Sequence, residues 1–468
     1  MINIFSERIL LIVFIIVNIA LYSFSYDGAT FVEGADSSQY YLPALSFLEN
    51  GKFVQGDVSL TFGPPLYSIF LAIPIYVFGF DESDAAIVFI QCTLLYLTGV
   101  LSRQILLQFS NKLGLLVHAL IIFNPNSIIT AHLVQSETLF TFLFIWSIIV
   151  AFKIINNFSL KRVILLGFLT GLAALTRPVA IYLLLLWPMF ILISLIVKNK
   201  LDIGNQFIFY RKREWMRLLS IMLIGGMVVS PWYARNYIEF GKAFFTSNAG
   251  AYLQAQYIQL KNKGFGYNRE DAMKEHRKIF SDYLGKKKLS NFCLNNDRHW
   301  SCNGALTSAS LSGIVSEPLV GHAKALVNSW GALFFSGGAS NIRNYLRIDG
   351  KELIVSFQKK SFNGLKSILN LIREMPTSYL IIFIFTTIFS TISRIIGIVG
   401  IFYLIKEKRW RPYGLLLIET VSLFTAAYLY LGQSRFRVPL EPILMIFTVV
   451  GILFMIKKGL ITFLLTSV

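Results

Sequence analysis

Long apolar stretches alternate with short charged ones along most of the chain. The stretches at residues 9–24, 85–107, 113–131, 138–155, 163–176, 180–197, 218–233, 378–405, 413–431 and 438–456 are rich in Leu, Ile, Val and Phe. A helix of about 20 such residues crosses the ~30 Å of hydrocarbon in a bilayer, and only a helix or a closed barrel can do so with its backbone satisfied. The pattern therefore predicts an all-α polytopic membrane protein with about ten transmembrane helices. A further apolar stretch, GPPLYSIFLAIPIYVFGF at residues 63–80, is followed at once by Asp81, Glu82 and Asp84. If it crossed, every later basic loop would change sides. It is therefore predicted to lie on the outer surface.

The charges set the sidedness. Arg8 precedes the first stretch, and Ser23-Phe24-Ser25-Tyr26 after it makes a poor cleavage site, so residues 9–24 read as a retained signal anchor. Basic clusters at 198–217, 406–411 and 457–458 then fall inside, and the acidic segment after residue 26 falls outside. No stretch between residues 235 and 377 is apolar enough to span. That region is net basic, but long loops translocate largely regardless of charge, so it is expected to be an external loop domain. It holds Cys293 and Cys302, which either form a small disulfide loop or stay as two thiols, while Cys92 lies in a span as ordinary packing. The expected division is an N-terminal transmembrane module at 1–234 with its first external loop at 26–84, a loop domain at 235–377, and C-terminal helices at 378–468.

Composition agrees. The 468 residues are 55% hydrophobic with a mean hydropathy of +0.61, far more apolar surface than a soluble domain needs. The net charge of +18 is read as loop charge facing the cytoplasm; no nucleic-acid motif accompanies it.

The first external loop carries the segment FVEGADSSQYYLPALSFLENG, residues 31–51. From Ser37 it has Tyr40, Tyr41, Leu45 and Leu48 at helical spacing, which predicts a short amphipathic helix at the membrane surface. Asp36 then has two readings: a helix cap, or a general base for a hydroxyl. Asp36, His132, Glu137, Arg177, Arg235, Arg435 and Arg437 all fall at external span ends, and the span middles are read as nearly free of charge. A transporter or pump would carry ionisable groups at mid-depth, and no internal repeat is evident. Arginine forks match phosphate oxygens and carboxylates can activate a hydroxyl, so the mixture suggests transfer from a phosphate-bearing lipid to an acceptor. The plainer reading is a set of ordinary interfacial residues.

Six segments carry a family resemblance in their order: ADSSQYYLPALSFLENG, GPPLYSIFLAIPIYVFGFDESDAA, AHLVQSETLF, GLAALTRP, PWYARNYIEFG and SRFRVPLEP. Together they resemble the GT-C glycosyltransferases of the dolichyl-phosphate-mannose–protein mannosyltransferase type, including the bacterial polyprenyl-phosphate-sugar-dependent, aminoarabinose-transferase-like branch. The resemblance covers most of residues 1–241 and about 411–456. It implies a GT-C fold with surface helices in the first loop. It also implies a polyprenyl-phosphate-linked sugar donor and inverting transfer to a hydroxyl of a glycan, lipid or protein. The active site would face the periplasm or exterior of a bacterial inner membrane.

By position in those segments, Asp36 corresponds to the family's base and Glu137 to its second acid. Many relatives carry two adjacent acids in the first loop. Here Ser37 follows Asp36, which leaves three readings: Asp36 acts alone, with Glu33 or with Glu137. Arg177 is the first candidate for the donor phosphate, with Arg435 and Arg437 behind it, and Tyr40, His132 and Arg235 are further candidates near the acceptor. His132 and His322 could imitate an acid–histidine metal site, but no required metal or other cofactor is expected. The alternatives are an O-antigen ligase or polysaccharide polymerase with a lipid-diphosphate donor, and a lipid-linked-glycan transporter.

Overall fold

The computed structural model describes residues 2–25, 36–55, 58–59, 61–107, 109, 113–201, 212–289, 292–348 and 375–460. The chain is a bundle of helices, and among the described residues its strands are limited to the pair β1 (Val54–Gln55) and β2 (Val58–Ser59).

Helix α1 (Ile2–Phe24) is the first apolar stretch. The first loop then supplies α2 (Ser37–Asn50), closed by Gly51 in the left-handed region that glycine adopts without strain. It also supplies α3 (Leu66–Phe78), the apolar segment expected on the surface. With 13 residues, α3 is about 20 Å long, too short to span alone. Next come α4 (Ser83–Leu106), α5 (Gly114–Ile122) and α6 (Pro125–Ala131). The stretch read from sequence as one span at 113–131 is thus two helices, bent by 56° at a break. The cause is local. The Asn124 side chain accepts hydrogen bonds from the backbone N–H groups of Asn126 and Ser127, and Pro125 takes the first position of α6.

The core follows with α7 (Glu137–Asn156), α8 (Leu160–Thr176), α9 (Ile181–Leu201) and α10 (Lys212–Phe240). Helix α7 is apolar all round and is enclosed on nearly every side, as such a helix must be inside a bundle. Gly167 and Gly171 of α8 lie directly against α10, where an added Cβ would meet the Ile221 carbonyl or the Val228 side chain. Small residues of this kind let membrane helices approach closely.

Residues 249–345 form a helical layer of α11 (Ala249–Phe265), α12 (Arg269–Lys286), α13 (Phe292–Asn295), α14 (Asn303–Ser316), α15 (Leu319–Phe335) and α16 (Ala339–Tyr345). Cys293 and Cys302, left open by the sequence, are joined as a disulfide. The C-terminal part comprises α17 (Thr377–Lys406), α18 (Arg411–Ala427), the short turn α19 (Ser434–Arg437) and α20 (Glu441–Lys457). Helices α17 and α20 pack backbone to backbone: a Cβ at Gly400 or Gly451 would run into the carbonyl of Phe447 or Ile396.

Seven helices among the described residues are long and apolar enough to cross a membrane, and the bent α5–α6 pair makes an eighth. Helices α8 and α18, 17 residues each, fall just below that length. The protein is an integral membrane protein, and every predicted span corresponds to a helix or to the bent pair.

Candidate active site

Three helix ends meet at one point. At the first, Ser136 and Glu137 begin α7. At the second, Arg177 follows α8 and precedes Pro178, which disfavours the helical conformation for the residue before it. Arg177 is accordingly extended, with φ −142° and ψ 129°, and its side chain leaves the helix stack. At the third, the turn α19 carries Arg435 just before α20.

Glu137 sits at the centre with no exposed side-chain surface. Its Oε1 accepts from Arg177 Nη1 at 2.7 Å and from Arg435 Nε at 2.6 Å. Arg435 also reaches outward, with Nη2 2.8 Å from Oδ2 of Asp36. Its guanidinium therefore bridges a buried carboxylate to one that is 44% exposed. Asp36 precedes α2 but makes no side-chain capping bond; its carboxylate is committed to Arg435 instead. The Oε2 of Glu137 is buried and has no hydrogen-bond partner among the described residues.

Tyr40 of α2 lies at the same place, its hydroxyl 3.1 Å from Oγ of Ser136 and its ring edge-on to Tyr67. Burial raises the Tyr40 phenol above its ordinary pKa, against the opposing pull of Arg177, so it stays protonated and can donate. Tyr67 donates to Gln91, and Gln91 in turn donates to the carbonyls of Ala131 and Leu133, which fixes the turn before Glu137. Ser37 does the same from the first loop by donating to the Val134 carbonyl. Arg177 Nη2 lies 3.5 Å from the Tyr428 hydroxyl.

The structure thus brings together Asp36, Tyr40, Glu137, Arg177 and Arg435 from the candidates singled out in the sequence. It separates the others. Arg437, grouped with Arg177 and Arg435 as a phosphate ligand, is wholly buried and faces the other way. Its Nε donates to Glu441 at 2.5 Å, and its terminal nitrogens donate to the carbonyls of Leu333 and Ser336. His132 is buried between the Asn18 amide oxygen, 2.8 Å away, and the Tyr345 hydroxyl, 2.9 Å away, where it ties α1 to α16. Arg235 donates to Asn236 and to the Phe53 carbonyl, against the rings of Trp232 and Phe240. Glu33 lies outside the described residues. His322 pairs with the Tyr430 hydroxyl. No group of three or more His, Cys, Asp or Glu side chains that could hold a metal occurs among the described residues.

The expectation that the span middles lack charge needs correcting. Arg394 lies within α17 and Glu419 within α18. Arg394 Nη2 is 2.6 Å from Oε2 of Glu441, which also accepts from Asn124 at 3.0 Å and, through its other oxygen, from Arg437. This saturated buried cluster locks the α5–α6 break to α17 and α20. Two signals for it were in the sequence: Arg437 and Glu441 stand four residues apart, and an arginine inside an apolar span needs a partner. Glu419 has one buried oxygen without a partner among the described residues.

The helical layer is bound to the same turn. Tyr252 donates to the Ala427 carbonyl, and Gln256 accepts from the Tyr430 N–H at 2.8 Å. Lys263 donates to the Tyr430 carbonyl at 2.9 Å, and Ser329 accepts from the Gly432 N–H at 2.6 Å. The large loop therefore holds the segment that leads to Arg435. A cavity of about 600 Å³ runs along α2, lined by Leu42, Leu45, Ser46, Glu49, Asn50, Lys52 and Val54, on the helix that starts just after Asp36.

No protein-family model and no curated protein matches this chain by sequence. Among solved structures, it is similar to the oligosaccharyltransferase AglB of Archaeoglobus fulgidus in complex with an inhibitory peptide and a dolichol-phosphate. The identity is 14% and the TM-score 0.51, over 97% of this chain and 51% of that one. A second structure of the Archaeoglobus fulgidus oligosaccharyltransferase, tethered with an acceptor peptide containing the NVT sequon, matches at 12% identity and a TM-score of 0.50, over 97% and 50%. ArnT of Cupriavidus metallidurans, bound to undecaprenyl phosphate, matches at 12% identity over 93% and 77%, with a TM-score of 0.40. At such identities the likeness is one of fold, and this chain spans about half the length of the archaeal enzymes it matches. The fold is GT-C.

Proposed function

From the GT-C fold and the acid–arginine cluster, we propose that the protein is a membrane glycosyltransferase moving a sugar from a polyprenyl-phosphate donor to an acceptor hydroxyl. The carrying observation is the Arg435 guanidinium held between Asp36 and Glu137, with Arg177 on the same Glu137 oxygen. Two fixed guanidinium forks beside a half-exposed carboxylate suit a reaction in which a hydroxyl loses a proton while a phosphate leaves.

In this mechanism Asp36 takes the proton of the acceptor hydroxyl. The oxygen attacks the anomeric carbon from the face opposite the phosphate, and the carbon–oxygen bond to the phosphate breaks. The electron pair leaves on the polyprenyl phosphate, where Arg177 and Arg435 meet the developing charge. The configuration inverts. Glu137 positions both arginines. An incoming phosphate competes with Asp36 for Arg435, so donor binding frees the base as it fixes the leaving group. The Tyr40 hydroxyl is a donor for a substrate oxygen at the same place.

The test is direct: purified protein is incubated with a panel of polyprenyl-phosphate sugars and loss of sugar from the lipid is followed. Turnover of polyprenyl-diphosphate donors alone would move the assignment to a ligase or polymerase. No turnover with either class would remove it. Arg177→Lys keeps a charge but loses the planar fork. It is expected to weaken donor use by about tenfold or more, the scale of one charge-assisted hydrogen bond, with folding retained. Unchanged donor KM and kcat would shift the phosphate role to Arg435 alone.

The sidedness is tested separately. The basic ends of α17 and α20 are assigned to the inside and the site to the outside. A membrane-impermeant maleimide added to intact cells should label Ser340→Cys on α16 and spare Lys408→Cys beyond α17, two exposed positions. The reverse pattern would refute an external site.

A further inference from the structure

We infer that Tyr428 is a further ligand of the donor phosphate, set beside Arg177 by the large loop. The inference rests on the phosphate-donor reading above and adds a residue to its site. Tyr428 is where α18 ends, with its backbone N–H bonded to the Phe424 carbonyl at 3.0 Å. The residue is 4% exposed. Its ring lies flat on Phe436, the neighbour of Arg435, with centroids 4.7 Å apart and planes at 9°. Its hydroxyl faces Arg177.

At this point donors outnumber acceptors. Arg177 commits Nη1 to Glu137 at 2.7 Å. Its Nη2 has a neutral partner alone among the described residues, the Tyr428 hydroxyl oxygen at 3.5 Å. That hydroxyl accepts there, and its own proton has no acceptor among the described residues. Buried hydroxyls ordinarily donate as well as accept. Two adjacent donors, one of them charged and neither matched to an acceptor of its own, suit an anion with several oxygens. A phosphate meets both, and a guanidinium nitrogen is a strong partner for it. Such donors gain in strength as the leaving phosphate takes up charge. Packing accounts for the Tyr428 ring but not for its hydroxyl, since a phenylalanine would stack on Phe436 equally well.

The large loop holds this phenol in place by gripping the backbone on both sides of it. Tyr252 of α11 donates through its hydroxyl to the Ala427 carbonyl, and Gln256 Nε2 donates to the same oxygen at 3.3 Å. The other end of the Gln256 amide accepts from the Tyr430 N–H at 2.8 Å. Lys263 donates to the Tyr430 carbonyl at 2.9 Å. With the ring stacked on Phe436 and the chain fixed before and after it, the hydroxyl is pre-positioned for the phosphate rather than ordered by it. Tyr428 is thus the point at which the large loop acts on the site.

The experiment titrates undecaprenyl phosphate into the full chain in nanodiscs. Tyr428→Phe keeps the ring and its stack and removes one O–H. It should melt like the wild type and bind the probe about tenfold more weakly, the scale of one hydrogen bond to a charged group. Tyr430→Phe removes a hydroxyl from the same turn, one that pairs with His322, and should bind like the wild type. A fluorotyrosine at position 428 of the otherwise native chain should shift its fluorine resonance with undecaprenyl phosphate and not with undecaprenol, which lacks the phosphate. Wild-type affinity in Tyr428→Phe, alongside weakened binding in Arg177→Lys, would overturn the role of Tyr428 and leave the phosphate reading standing. Equal losses in Tyr428→Phe and Tyr430→Phe would overturn it too, by making the shape of the turn the cause. A wild type that does not bind the probe would remove the phosphate reading itself and this inference with it.

Discussion

Glu137→Gln is expected to cost the protein both its stability and its transfer activity. The Glu137 side chain is fully buried, and one of its oxygens receives two guanidinium groups, Arg177 at 2.7 Å and Arg435 at 2.6 Å. Glutamine preserves shape and an acceptor oxygen but removes the charge. Arg435 keeps Asp36 as a charged partner, while Arg177, 12% exposed, keeps the neutral amide oxygen and weak hydroxyl contacts at 3.5 Å with Ser136 and Tyr428 but no carboxylate among the described residues. Removing one partner of a buried ion pair generally costs about 3–5 kcal/mol, because the other charge is left uncompensated. A marked fall in the melting temperature of the detergent-solubilised protein checks this. Double substitution tests the cause. Arg177→Leu added to Glu137→Gln removes the stranded charge and should recover part of the stability while transfer stays lost. An unchanged melting temperature in the single variant would mean that Glu137 does not organise the cluster.

The fold was legible because membrane helices are written in hydropathy. Each of the ten apolar stretches became a helix or, at Asn124-Pro125, a bent pair. That break carried its own signal, a capping residue followed by proline, which a hydropathy reading passes over. The site was legible in part because charges at span ends are few. Asp36, Glu137, Arg177 and Arg435 stand on four separate segments, and sidedness alone brought them to one face. Arg437 shows the limit. Two residues from Arg435 on a tight turn, it points away from its neighbour, and only the turn geometry separates the residue that meets Glu137 from the one that meets Glu441. Arg394 was hidden differently. One arginine in a 30-residue apolar helix barely moves a hydropathy average, yet it needs a buried partner, and Glu441 supplied it. The role of the helical layer was not legible at all. Its hydrogen bonds to residues 427–432 join parts of the chain that are over 100 residues apart and share no motif.

Asp36→Asn should separate position from chemistry. In sequence Asp36 was either a helix cap or a base. The structure shows no capping bond from its side chain, so the amide loses nothing at α2. What it loses is the ion pair with Arg435, on a side chain that is 44% exposed, and such pairs contribute only ~0–1 kcal/mol. Arg435 stays anchored through Glu137 at 2.6 Å. The variant should therefore melt close to the wild type and still bind donor. Binding should be equal or tighter, because the phosphate no longer competes with a carboxylate for Arg435. Transfer should fall by about 10²-fold or more, the usual scale when a general base is removed. The expected signature is a lower kcat with donor affinity retained. That signature distinguishes a base from a residue that merely holds Arg435 in place, whose loss would weaken donor binding along with turnover. A wild-type kcat after Asp36→Asn, measured with a donor the wild type uses, would remove Asp36 from the mechanism.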